Sequence, residues 1–121
     1  MLCILRVYGK ALEEAQVSSE LGLTPRNIKH EDGSVRLNYE VAESDDRLLL
    51  IEQTKKFVRD HGRKLQNLGA AQGVDEKWLD IAVGFPPTKV ALFVRFDQEF
   101  VDHVSKAGLA VEVSVYKVSE S

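Results

Sequence analysis

Hydrophobic side chains alternate with polar ones in several stretches of the chain, a period of two that is typical of strands covered on one face. The clearest stretch places Val35, Leu37, Tyr39 and Val41 on one side. Similar patterns predict strands over residues 2–8, 78–85, 90–96 and 109–118. Because only a short connector containing Pro86 and Pro87 separates the strands at 78–85 and 90–96, we expect these two to form an antiparallel hairpin. In the last strand we expect three valines to be buried: Val111, Val113 and Val115.

Three other stretches have apolar residues three to four positions apart, which predicts amphipathic helices. The first leads to Gly22, and the third follows Asp97 and ends at Gly108. The longest begins at the acidic stretch 44–46 and ends near Gly69. Gly62 lies inside it and leaves a kink or an early end open. The polar stretch 26–34 is predicted to be a loop, since it contains the turn signal Asp32-Gly33.

The predicted order of elements is β-α-β-α-β-β-α-β. A chain of 121 residues is long enough for one hydrophobic core and too short for a second of similar size. We therefore expect residues 1–121 to form a single α+β domain. Its sheet should be mainly antiparallel and five-stranded, with three helices on one face, in the ferredoxin-like style.

Composition narrows the classes of function. With 44% hydrophobic and 29% charged residues, the chain has the composition of a globular protein. Its net charge of −3 disfavours nucleic acid as a partner, because such binding depends on concentrated lysine and arginine. No apolar run approaches the length of a membrane span, and Arg6 interrupts the apolar N-terminus, so we expect a cytoplasmic protein. The lone cysteine, Cys3, is predicted to be a buried and inert thiol.

The sequence contains none of the common catalytic or phosphate-binding motifs. Its three histidines are far apart in the chain, with no further ligand at metal-binding spacing: His30, His61 and His103. We therefore predict no enzymatic activity, no catalytic residue, no cofactor and no metal. The alternative is a homo-oligomeric small-molecule binder or a minor enzyme with a cleft near His61 or His103.

Alternation also predicts which side chains lie on the sheet face away from the helices. Aromatic residues and arginine contribute most binding energy at protein interfaces. The predicted partner-binding residues are Tyr8, Arg36, Trp78, Asp80, Arg95 and Tyr116. They would bind another protein or a second copy of this chain. Two alternatives are that loops cover this face, or that Asp80 and Arg95 form a cross-strand ion pair.

A second candidate surface is the acidic stretch from residue 31 to residue 46, which could face a basic partner or be an ordinary solvated surface. Its members are Glu31, Asp32, Glu40, Glu43, Asp45 and Asp46.

Three stretches of the chain resemble a family of small bacterial proteins of unknown function. They are Leu5-Arg6-Val7-Tyr8-Gly9-Lys10, Leu21-Gly22-Leu23-Thr24-Pro25, and Phe100-Val101 through Gly108-Leu109 to Val113-Ser114-Val115-Tyr116. Some members of such families are suspected immunity proteins encoded beside toxins. The resemblance implies a cytoplasmic protein that binds and neutralises a toxin, and it names no active site.

Overall fold

The computed structural model describes residues 1–118, in which five strands and three α-helices follow one another. A 3-10 turn at Ala70–Gln72 lies between the second helix and the fourth strand. The elements are β1 (Leu2–Gly9), α1 (Glu14–Leu21), β2 (Asn27–Glu31), β3 (Ser34–Glu43), α2 (Arg47–Asn67), β4 (Glu76–Phe85), α3 (Gln98–Lys106) and β5 (Ala110–Lys117).

All five strands belong to one sheet with the order β2-β3-β1-β4-β5. Neighbouring strands are antiparallel except for β4 and β5, which run parallel. The α+β class and the five-stranded sheet are confirmed, but the expectation of a mainly antiparallel sheet is wrong, because the sheet is mixed. The physical reason is the connection through α3, which returns the chain across the sheet so that β5 starts at the same end as β4. The ferredoxin-like style stays a prediction.

The strand predicted over residues 90–96 does not form. This stretch is extended but belongs to no β-ladder, and the position beside β4 is occupied by β5. Its alternation is real, since Leu92, Val94 and Phe96 pack against the core while Phe93 is 81% exposed. Alternation of apolar and polar residues indicates an extended segment that is covered on one side. Such a segment need not pair with a neighbouring strand.

The opposite error occurs at residues 26–34. The predicted turn is present, because Asp32 and Gly33 have φ values of 48° and 80°, the left-handed conformation that a tight hairpin needs. The polar residues before the turn nevertheless form β2, which pairs with β3. All five residues of β2 are exposed, so burial imposes no alternation on this edge strand. The observed order is therefore β-α-β-β-α-β-α-β.

The long helix α2 runs for 21 residues without interruption, so Gly62 neither kinks nor ends it. Its N-cap is Asp46, whose carboxylate accepts hydrogen bonds from the backbone N–H groups of Leu48 and Leu49. At the other end, the ammonium group of Lys77 donates to the backbone carbonyls of Leu65 and Leu68. None of the helices in residues 1–118 combines the length and apolarity needed to cross a membrane.

The hydrophobic core lies between the helices and one face of the sheet. Helix α2 packs on β1 and β3, and both α1 and α3 contact α2. The strand residues fully buried there include Cys3, Leu5, Val7, Leu37, Leu79, Ile81 and Val83. The prediction that β5 buries its valines is wrong, since Val111, Val113 and Val115 are between 37% and 57% exposed. Strand β5 is an edge of the sheet, and α3 packs on α2 instead of covering it.

Candidate binding face of the sheet

We call the sheet face away from the helices the open face. Strand register determines which side chains share it. Tyr8 lies between Arg36 on β3 and Glu76 on β4. Two residues back along β1, Arg6 lies between Asn38 and Trp78. A surface of neighbouring side chains therefore crosses the three central strands.

A chain of side-chain hydrogen bonds crosses the open face and includes one residue from each strand. Arg6 donates to Asp80 from Nε at 3.2 Å and from Nη2 at 2.9 Å, and to Asn38 from Nη1 at 2.7 Å. Asn38 donates in turn to Asn27 on β2. On the other side, the Ser114 hydroxyl donates to Asp80 at 2.8 Å. Asn38 and Asp80 are buried in this network, so its hydrogen bonds hold the five strands in register. The polar side chains at the centre of the open face bond to one another.

Four of the six predicted binding residues lie together on the open face. Tyr8 and Arg36 are cross-strand neighbours, while Trp78 and Asp80 follow each other along β4 on the same face. Tyr8, Arg36 and Trp78 are half-buried, and Asp80 is buried through its ion pair with Arg6. The Nε atom of Arg36 is buried without a hydrogen-bond partner among residues 1–118. An unsatisfied buried donor is costly, so this atom is a local cost of placing Arg36 on the open face.

The other two predicted binding residues lie elsewhere. Tyr116 is on the open face, but it pairs with Gly84, six residues along β4 from Trp78. At about 3.3 Å per residue this places it about 20 Å away. Placing Arg95 on the sheet is wrong, because the strand expected to carry it does not form. The alternative of an Asp80–Arg95 ion pair is also wrong, since Asp80 pairs with Arg6.

A groove of about 610 Å³ lies beside Trp78, where β4 and β5 begin. Its lining combines apolar residues with three carboxylates. The apolar residues include Leu68, Val74, Ala110 and Val111, and the carboxylates are Asp75, Glu76 and Glu112. Lys77 also lines the groove, but its ammonium group bonds to the carbonyls at the end of α2, and burial lowers its pKa. The acidic groups therefore dominate the charge available to a ligand in this groove.

Sequence reasoning missed this groove and the central network. Arg6 and Asn38 follow the same alternation as the predicted residues, but only the register shows that they join Asp80. Ser114 and the groove depend on β5 lying parallel to β4, which no local pattern indicates.

The acidic stretch from residue 31 to residue 46 does not form one patch. Glu31 and Asp32 lie at the β2–β3 turn, whereas Glu40 forms an exposed ion pair with Arg26. Asp46 is occupied as the N-cap of α2. Because β3 is ten residues long, about 30 Å of strand separates the turn from the helix start. These charges are therefore spread along the length of β3 and do not form a common docking surface.

The histidines considered for a cleft have local partners. The Nδ1 atom of His61 lies 3.0 Å from the Phe57 carbonyl, and its ring stacks on Phe57 with centroids 4.3 Å apart. The Nε2 atom of His103 lies 3.6 Å from a carboxylate oxygen of Glu99. Neither histidine lines the groove beside Trp78. Within residues 1–118, no three His, Cys, Asp or Glu side chains are grouped closely enough to hold a metal ion.

Cys3 is fully buried in the core, where burial raises the pKa of its thiol to about 12. Since the thiolate is the reactive form, a buried thiol of this kind should react slowly.

We expect native Cys3 to remain largely unmodified by iodoacetamide at neutral pH under conditions that alkylate the urea-unfolded chain completely. Intact-mass spectrometry at successive times measures both rates. Equal rates in the native and unfolded states would show that Cys3 is accessible, and would contradict its position in the core.

The chain matches no family model, no curated protein and no solved structure at a significant level. The resemblance to a bacterial family therefore stays a prediction, and the open face with its groove is the evidence on which a function can be proposed.

Proposed function

We propose that this chain is a protein-binding domain without catalytic activity, and that its partner docks on the open face around Trp78 and the adjacent groove. The observation that carries the proposal is the arrangement of Trp78, Tyr8 and Arg36 on a sheet face that no helix of residues 1–118 covers. These residue types dominate the energetics of protein interfaces. The central network beside them on the same face supplies a rigid support, which lowers the entropic cost of binding.

The groove indicates the chemistry of the partner. Asp75, Glu76 and Glu112 line it, and Trp78 forms part of its wall. An arginine or lysine side chain would gain both charge attraction from the carboxylates and a cation–π contact with the indole. The preferred partner is therefore a protein segment with a basic side chain flanked by apolar ones.

A short capped peptide of alternating arginine and leucine is a suitable probe, with a glutamate–leucine peptide as its counterpart. Because Trp78 is the only tryptophan, its fluorescence reports on the proposed site directly. We expect a saturable change in emission with the arginine peptide that weakens as salt is added, and no saturable change with the glutamate peptide. An equal response to both peptides, or to neither, would contradict the proposal.

Calorimetric titration of variants localises the binding. Trp78→Ala should weaken the affinity for the arginine peptide by about thirtyfold, since truncating a central aromatic residue costs on the order of 2 kcal/mol of binding free energy. The matched control is Phe93→Ala, which removes an exposed aromatic ring from a residue that belongs to no strand. Circular dichroism should show both variants folded. If Phe93→Ala weakens binding as much as Trp78→Ala, the open face is not the site.

Two finer statements belong to the same proposal. The resemblance described above suggests a toxin as the partner, so that the domain acts as a cytoplasmic immunity-type protein. The order of the first six elements supports a ferredoxin-like core to which α3 and β5 are added.

A further inference from the structure

Among residues 1–118, the outer edge of β5 pairs with no other strand. We propose that β5 pairs antiparallel with β5 of a second copy, so that two five-stranded sheets join into one continuous sheet across a two-fold axis. Strand β5 ends the sheet, and the valines on its helix-side face, Val111, Val113 and Val115, are exposed. An edge of this kind offers unpaired backbone groups to another strand. The proposal uses the outer backbone edge of β5 and not the open face, although Val111 also lines the groove, and it does not depend on the proposed function.

The two edges of the sheet differ in the features that prevent strand pairing. At the opposite edge, β2 is five residues long and carries Lys29, His30 and Glu31 in succession. Short, charged strands of this kind are protected against edge-to-edge association. Strand β5 is eight residues long and carries only Glu112 and Lys117 as charges. The residues of β2 therefore disfavour pairing with another strand at that edge of the sheet, whereas the residues of β5 allow it.

The residues of β5 are compatible with pairing to themselves, which is what a two-fold contact requires. With Val113 on the axis, each Val111 lies opposite Val115 of the second copy. The valines then pair only with valines, while Glu112 faces Ser114 of the second copy, so no like charges are directly opposed. A single strand pair buries less than the ~1,200 Å² of a stable complex, so the dimer should be weak and concentration-dependent.

This register also changes the surroundings of Trp78. Ala110 lies beside Trp78 on the open face, and Tyr116 of the second copy would lie opposite Ala110. Two strand spacings then separate Trp78 from that tyrosine, or about 10 Å, compared with about 20 Å within one chain. The second copy would thus supply an aromatic side chain next to the groove, and this consequence, unlike the dimer itself, rests on the proposed function.

Sedimentation equilibrium between about 1 and 200 μM protein tests the dimer, a range chosen for an interface of this small size. We expect the wild-type chain to shift from monomer to dimer. Val113→Lys should abolish the dimer, because it places like charges together at the axis. The double variant Val111→Lys/Val115→Lys should abolish it as well. Both variants change exposed side chains, and thermal melts should show that the monomer remains folded.

The matched variant Val111→Lys/Val115→Glu tests the register. It alters the same two positions but places opposite charges in each pair, so we expect the dimer to be retained. Ile28→Lys on β2 is the control for the other edge and should leave association unchanged. A wild-type chain that remains monomeric throughout, or a dimer that survives Val113→Lys and the double lysine variant, would overturn the proposal. Loss of the dimer in the lysine–glutamate variant would overturn the register.

Discussion

Replacing Asp80 with alanine is expected to lower the free energy of unfolding by on the order of 3 kcal/mol, a large part of the stability of a domain of this size. Asp80 accepts two hydrogen bonds from Arg6 and one from Ser114, and the side chains of the ion pair are only 12% and 23% exposed. Its removal would leave the guanidinium group of Arg6 largely buried and bonded only to Asn38. Urea unfolding followed by circular dichroism measures the effect.

Two controls separate burial from charge pairing as such. Glu40 pairs with Arg26 on the exposed part of β3, and Glu40→Ala should cost less than about 1 kcal/mol. The double change Arg6→Met/Asp80→Leu replaces both charges by apolar groups and should recover part of the loss, since no buried charge is left unpaired. If Asp80→Ala and Glu40→Ala unfold at the same urea concentration, the central network does not stabilise the sheet.

Replacing Gly73 with alanine should destabilise the fold by about 3 kcal/mol or more, through backbone strain and a direct overlap together. Gly73 has a φ of 75°, and a Cβ atom there would overlap the Ala11 carbonyl group. The same turn approaches β1 so closely that a Cβ on Gly9 would overlap the Gly73 carbonyl. The variant must therefore move the turn that leads into β4. A thermal melt measures the loss.

Two other glycines separate the causes. Gly33 has a φ of 80° with open space around it, so Gly33→Ala should cost only the strain of the left-handed conformation, about 1–2 kcal/mol. Gly62 lies inside α2 with no neighbour near its missing Cβ, so Gly62→Ala should stabilise the protein by about 0.5–1 kcal/mol. If all three variants melt together, close packing at Gly73 is not important for stability.

Local sequence patterns were sufficient to locate β3 and α2, because burial in the core acts on each of these elements directly. The alternation of Leu37 and Tyr39 and the helical spacing of α2 both reflect contact with the core. The same logic located the open face, because residues two apart in a strand share a face. It therefore placed Tyr8, Arg36, Trp78 and Asp80 on one face of the sheet. It did not show which of them are cross-strand neighbours.

The amino-acid sequence by itself determined the α+β class, the three helices and the buried faces of β1, β3 and β4, because these depend on which residues avoid water. Only the tertiary structure decided which strands become neighbours. It placed β5 parallel to β4, left residues 90–96 unpaired and joined Arg6 to Asp80. Strand pairing depends on contacts between residues that are distant in the sequence and on the path of α3. The hydrophobic pattern of a segment cannot show its neighbour, because that pattern is the same whichever strand lies beside it.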